Sequence, residues 1–93
     1  MVNVTERWAE FEFVDTTEGG RPCVLAYAFW PEPMVATEGR DMDEAVDMAR
    51  DWLQVMVEDY EERGEPMPLP RSGNAPAHGG KVLRVGFNEV NAL

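Results

Sequence analysis

The sequence is poor in cysteine, histidine and basic side chains. One cysteine, Cys23, and one histidine, His78, stand among 93 residues. A single cysteine excludes an internal disulfide framework and leaves no Cys-based zinc motif. His78 lies in a proline- and glycine-rich stretch with no second His or Cys at ligand spacing, so no metal is expected there. Eight Lys and Arg face 18 Asp and Glu, a formal net charge of −10. That balance opposes binding to nucleic-acid phosphates, whose affinity comes largely from basic side chains. It suits a cationic partner, or simply solubility. No apolar run approaches membrane-spanning length, and the opening "MVNVTERWAEFEF" lacks a signal-peptide profile. A cytoplasmic protein without membrane association is expected. A phosphate-cradling loop is also missing, because Glu18-Gly19-Gly20 is not followed by a helix.

What is present is enough for a fold. Hydrophobic residues make up 44% of the chain, and its length suits a single domain over residues 1–93. A domain this small buries a modest core and often gains stability by oligomerising. In "WAEFEFV", Ala9, Phe11 and Phe13 alternate with Glu10 and Glu12, the period of a strand with one wet face. The segment "DTTEGGRP", Asp15 to Pro22, has turn chemistry, and "CVLAYAFW", Cys23 to Trp30, reads as a buried strand that completes a hairpin. "PEP", Pro31 to Pro33, stops that strand, and Met34 to Thr37 allow a short third one.

Asp41 then fits as a helix N-cap, with Glu44 three residues on. The helix is expected over 41–63, with Gly64 as C-cap and Pro66 beyond. At 100° per residue, Met42, Ala45, Val46, Ala49, Leu53, Met56 and Tyr60 share one face. Residues 65–80 read as an extended or mobile Pro/Gly-rich linker, and 81–87 as a final strand. The expected class is α+β, ordered β-β-β-α-β, an antiparallel sheet with one long amphipathic helix on one face.

The stretch "FWPEPMVATEGRDMDEA", Phe29 to Ala45, resembles the HicB family of antitoxins from bacterial toxin–antitoxin pairs. That family reads F-P-D-L-P-G-C-x-T-x-G-D-T-x-E-E-A over the same seventeen positions. Phe29, Pro33, Thr37, Gly39, Glu44 and Ala45 coincide without a gap, and Asp41 takes the place of the usual capping Thr. "GEPMPLP", Gly64 to Pro70, is similar to the family's G-x-x-I-P-x-P ending. Two departures stand out: Trp30-Pro31-Glu32 replaces Pro-Asp-Leu, and Met34-Val35 replaces Gly-Cys. The resemblance implies a partial ribonuclease-H-like βββαβ fold that oligomerises, and a dimer or higher oligomer is expected, a dimer being the commonest symmetric assembly. It also implies a partner, HicA, which is a small basic ribonuclease toxin. Many family members add a C-terminal DNA-binding domain, and after Arg71 this sequence holds one strand and no amphipathic helix, so direct operator binding is not expected.

Four constellations are candidates for function. Asp43, Asp47, Asp51, Glu58 and Glu62 form an acidic helix stripe, either a solvated face or a surface for a basic toxin. Met48, Trp52 and Val55 form an apolar ridge on the flank of the core face, which suits an oligomer interface unless the sheet covers it. Trp30, Glu32 and Met34 could anchor the partner, or the tryptophans could be plain core. Glu10 and Glu12 share a strand face and could hold Mg²⁺, but no third ligand is evident and a solvated face is the expected reading. Cys23 reads as a structural thiol. The sequence thus points to a non-enzymatic HicB-like antitoxin that needs no cofactor and neutralises its toxin sterically. An orphan oligomerising module without a toxin is the alternative, and a metal-dependent nuclease is a more distant one.

Overall fold

The computed structural model describes residues 8–30, 33–66 and 72–86. Four strands and one helix appear in the order β1 (Trp8–Glu18), β2 (Arg21–Phe29), β3 (Pro33–Gly39), α1 (Met42–Arg63) and β4 (Lys81–Gly86). The strands form one sheet in the order β3-β2-β1-β4, and every neighbouring pair is antiparallel. The expected α+β class with a helix over an antiparallel sheet is what the chain adopts.

The first hairpin is tighter than the turn chemistry of Asp15 to Pro22 suggests. Pairing runs out to Glu18↔Arg21, so the loop is only Gly19-Gly20, with φ of 60° and 82°. A two-residue hairpin loop whose twist matches the strands needs positive φ at both positions, which glycine adopts without strain. Asp15 to Glu18 are strand residues with exposed side chains.

Alternation along β1 directs Ala9, Phe11 and Phe13 to the helix-bearing face. Ala26 and Ala28 lie opposite the two phenylalanines on β2, and Val85 lies opposite Ala9 on β4. Against them α1 places Ala45, Ala49, Leu53 and Val57, all fully buried at four-residue spacing. Alanines on both sides let the helix approach closely. Phe11, Phe13, Leu53 and Val57 supply the large apolar volume, at roughly 1.5–3 kcal/mol each. Met42, Val46, Met56 and Tyr60 from the expected helix stripe are only partly buried and pack around this centre.

Both helix ends follow the sequence signals. The Asp41 side chain accepts from Glu44 N–H at 2.9 Å from an extended backbone, which satisfies one of the free amides of the first turn. Glu44 reaches back not to the cap but to Arg40, accepting its N–H at 2.7 Å and pairing with its guanidinium at 3.1 Å. Gly64 closes the other end in the left-handed conformation, and Gly64 N–H and Glu65 N–H donate to Glu61 and Tyr60 carbonyls, both at 3.1 Å. Gly39 is needed for closeness rather than for a special φ. A Cβ there would stand 2.8 Å from Ala45 Cα, inside the first helical turn.

Residues 72–80 depart most from expectation. Expected as an extended or mobile linker, they lie over the sheet face opposite the helix. At their end any Cβ on Gly80 would meet the Phe13 carbonyl and sit 3.0 Å from Glu12 Cγ. Met67 to Arg71, within the same linker, and Phe87, the expected end of the last strand, lie outside the described residues.

Candidate functional site

The face opposite the helix carries Glu10 and Glu12, expected to be solvated. That expectation is overturned. Glu12 is fully buried, and Glu10 is 8% exposed. The segment 72–80 closes over them as a strap and aims backbone amides at both carboxylates. Glu12 Oε1 accepts from Ala77 N–H at 2.9 Å, and Oε2 accepts from His78 N–H at 2.9 Å and Gly80 N–H at 2.8 Å. The His78 ring lies on Tyr27, centroids 4.1 Å apart, with Nδ1 at 3.2 Å from Glu12 Oε1. Since an ionised carboxylate only accepts, Nδ1 carries the proton in this contact.

Glu10 is held the same way nearer the start of the strap. Asn74 donates both its backbone N–H (3.1 Å) and its side-chain amide (2.8 Å) to Oε1, and Gly73 N–H donates to Oε2 at 3.3 Å. Arg84, opposite Glu10 on β4, adds positive charge and covers the Trp8 ring at 3.9 Å.

These contacts decide the protonation of both acids. Burial pushes the Glu12 carboxyl up, but hydrogen bonds from Gly80, Ala77 and His78 together outweigh it and hold its pKa at about 2. For Glu10, burial also pushes up, and the bonds from Asn74 and Gly73 with the charge of Arg84 leave it below the usual carboxylate range. The oxygens a Mg²⁺ ion would require are therefore committed to the chain's own N–H groups. The pair reads as a fastening for the strap rather than as a metal centre.

The helix presents the acidic stripe as expected. Asp43, Asp47, Asp51, Glu58 and Glu62 are all exposed. Arg50 pairs with Asp47 at 3.0 Å, and Gln54 donates to Glu58 at 3.3 Å. Asp43, Asp51 and Glu62 have no ion pair among the described residues. Like charges at i, i+4 in Asp43–Asp47–Asp51 cost a helix about 0.2–0.5 kcal/mol per pair. An incoming cationic surface would remove that cost.

The apolar ridge divides. Met48 is 41% and Val55 62% exposed, whereas Trp52 is half-buried. Trp52 meets Phe11 edge-on at 5.8 Å and Trp30 edge-on at 5.7 Å, which joins it to the core. Trp30 is 8% exposed, within this aromatic cluster. Its Nε1 is buried with no acceptor among the described residues. Of the other two residues in that candidate group, Met34 is exposed on the edge strand β3, beside exposed Val35, and Glu32 lies outside the described residues.

No family model, curated protein or solved structure matches the chain. No described helix is long and apolar enough to cross a membrane.

Proposed function

We propose that this chain is a HicB-like antitoxin that neutralises a small basic ribonuclease by binding it, without catalysing any step itself. The observation that carries the reading is the long helix whose outer face bears Asp43, Asp47, Asp51, Glu58 and Glu62, all exposed, on a scaffold that consumes Glu10 and Glu12 internally. A ribonuclease that holds RNA through Lys and Arg offers the complementary surface. The acidic stripe steers it in and occupies the positions that RNA phosphates would take. The sequence resemblance over Phe29 to Ala45 supports the same reading and supplies the ribonuclease-H-like part of it. Trp30 would act through packing of the aromatic cluster, and Met34 would lie at the rim of the contact.

One specific observation favours a second reading, an oligomerising module with no toxin. Met48 and Val55 on the helix, and Met34 and Val35 on β3, are apolar and exposed, and β3 is a sheet edge with an unpaired hydrogen-bonding side. A metal-dependent nuclease is the weakest reading, because Glu10 and Glu12 are already coordinated by amides.

The deciding experiment is co-expression with the product of the neighbouring reading frame, which the proposal requires to be a small basic protein, followed by mass measurement and a ribonuclease assay of the complex. The proposal expects a stable mixed complex without ribonuclease activity at saturating antitoxin. Full activity in the saturated complex, or a clean homo-oligomer with no mixed species, contradicts it.

A further inference from the structure

At the far end of the first hairpin, away from the strap, three metal-ligating side chains converge from three strands. Cys23 starts β2 and lies opposite Thr16, and Leu25, two residues on, lies opposite Glu38 of β3. Glu18 is two residues beyond Thr16 on β1. Alternation therefore places Glu18, Cys23 and Glu38 on one face as diagonal neighbours. Their ligand atoms lie within 4.8 Å of one another. They line a recess of about 220 Å³ that also includes Arg21 and Arg40.

We propose that Glu18, Cys23 and Glu38 form a divalent-cation site with zinc as its ion, bound through one thiolate and two carboxylates, with the fourth position left to water.

Three observations point there together. The Cys23 side chain is only 8% exposed, and its sulfur finds no hydrogen-bond partner among the described residues although it is directed at two carboxylates. Two carboxylates held this close repel each other unless a cation lies between them. Of the two guanidinium groups lining the recess, that of Arg40 is engaged by Glu44 at 3.1 and 3.2 Å. Burial, then the charges of Glu38 and Glu18, push the Cys23 thiol up, and the negative field that disfavours a thiolate favours a cation.

The donor set selects the metal. A thiolate with two carboxylates is too soft for Mg²⁺ or Ca²⁺ and matches the borderline-soft Zn²⁺. Tetrahedral bonds of about 2.0–2.3 Å place ligand atoms roughly 3.5 Å apart, which the two exposed glutamates reach by rotamer adjustment. As the Zn–S bond forms, the thiol proton leaves to solvent, so each ion bound releases one proton. The site stands independently of any toxin. Spacing in the sequence hides it, because the three ligands are joined only by strand register.

The test uses the full reduced chain titrated with Co²⁺, then competed with Zn²⁺. One equivalent should produce a sulfur-to-cobalt charge-transfer band and tetrahedral visible bands, which Zn²⁺ abolishes. C23S should remove the charge-transfer band. E38Q, on an exposed side chain that leaves the fold intact, should weaken Zn²⁺ at least the roughly tenfold that loss of an outer-shell partner costs. R21A, which removes a positive charge from the lining of the recess, should tighten it. Absence of the charge-transfer band in the wild type, or Zn²⁺ affinity unchanged in both C23S and E38Q, overturns the proposal.

Discussion

The two faces of the sheet are both closed by the chain itself, but by opposite kinds of chemistry. The helix side is closed by shape: Phe11 and Phe13 meet Leu53, Val57 and a set of alanines, with no polar group required. The other side is closed by polarity: Glu10 and Glu12 are covered by a strap whose contribution is backbone N–H groups and one stacked imidazole. A burial argument alone would treat the faces as equivalent. They differ in what removes them. The apolar face should be indifferent to pH between 4 and 7, because its core holds no carboxyl, imidazole or amine group. The polar face depends on two carboxylates staying ionised, and it fails when they take up protons.

The largest effect separating the two is expected on the apolar side. Leu53→Ala empties a fully buried position at the centre of the helix contact and should cost about 2–5 kcal/mol in denaturant unfolding, by the same amount at pH 7 and pH 4. A cost that changes strongly with pH would break the distinction between the faces.

Glu12→Gln should come next, at about 1.5–3 kcal/mol, because the amide keeps the shape but turns one acceptor into a donor facing N–H groups. Its pH signature is the sharper test. The Glu12 pKa is depressed on folding, so its contribution is complete above the ordinary carboxylate range near 4.5. It is lost as pH falls from there through about 2. Wild-type stability should therefore decline over that window, and the Gln variant should decline less. Equal acid slopes for the two proteins would show that the strap is not fastened through this carboxylate.

A smaller effect is expected at the N-terminus of the helix, where it leaves β3. Asp41→Ala removes the cap from the Glu44 amide and should cost about 0.5–2 kcal/mol, with Asp41→Asn close to neutral. The smallest effect on folding belongs to the outer helix surface. Asp47→Asn with Asp51→Asn should change stability by no more than about 0.5 kcal/mol. The same pair should slow association with the proposed basic toxin and flatten its salt dependence, read by stopped-flow mixing at two ionic strengths. An unchanged association rate would remove the steering role of the acidic stripe.

The apolar half of this arrangement was legible in the sequence because its periodicities are short. Phe11 and Phe13 alternate with Glu10 and Glu12, the helix stripe repeats within a turn, and Asp41 with Glu44 and Gly64 mark the helix ends. Even there Val57 escaped the expected stripe, and Trp52 was assigned to a ridge although its ring lies against Phe11 and Trp30. The polar half was not legible. Alternation shows that Glu10 and Glu12 leave the core face but cannot say whether water or chain receives them. What receives them is backbone from the opposite end of the sequence, and an amide N–H has no residue signature. Gly80, which leaves room for the strap beside Glu12, was the one available hint, and it read as linker. The Glu18, Cys23 and Glu38 cluster was hidden for a related reason, since only strand register brings it together.

With Glu10 and Glu12 covered by the strap, the exposed acidic side chains of the helix form the charged surface proposed to meet a partner. That depends on the strap being shut, which amide hydrogen exchange of the free chain at neutral pH reads directly. The Ala77, His78 and Gly80 N–H groups should exchange far more slowly than exposed strand-edge amides, and Glu12→Gln should restore fast exchange at all three. Exchange of these amides at unprotected rates in the unaltered protein would contradict a shut strap, and would return Glu10 and Glu12 to the surface as an open acidic pair.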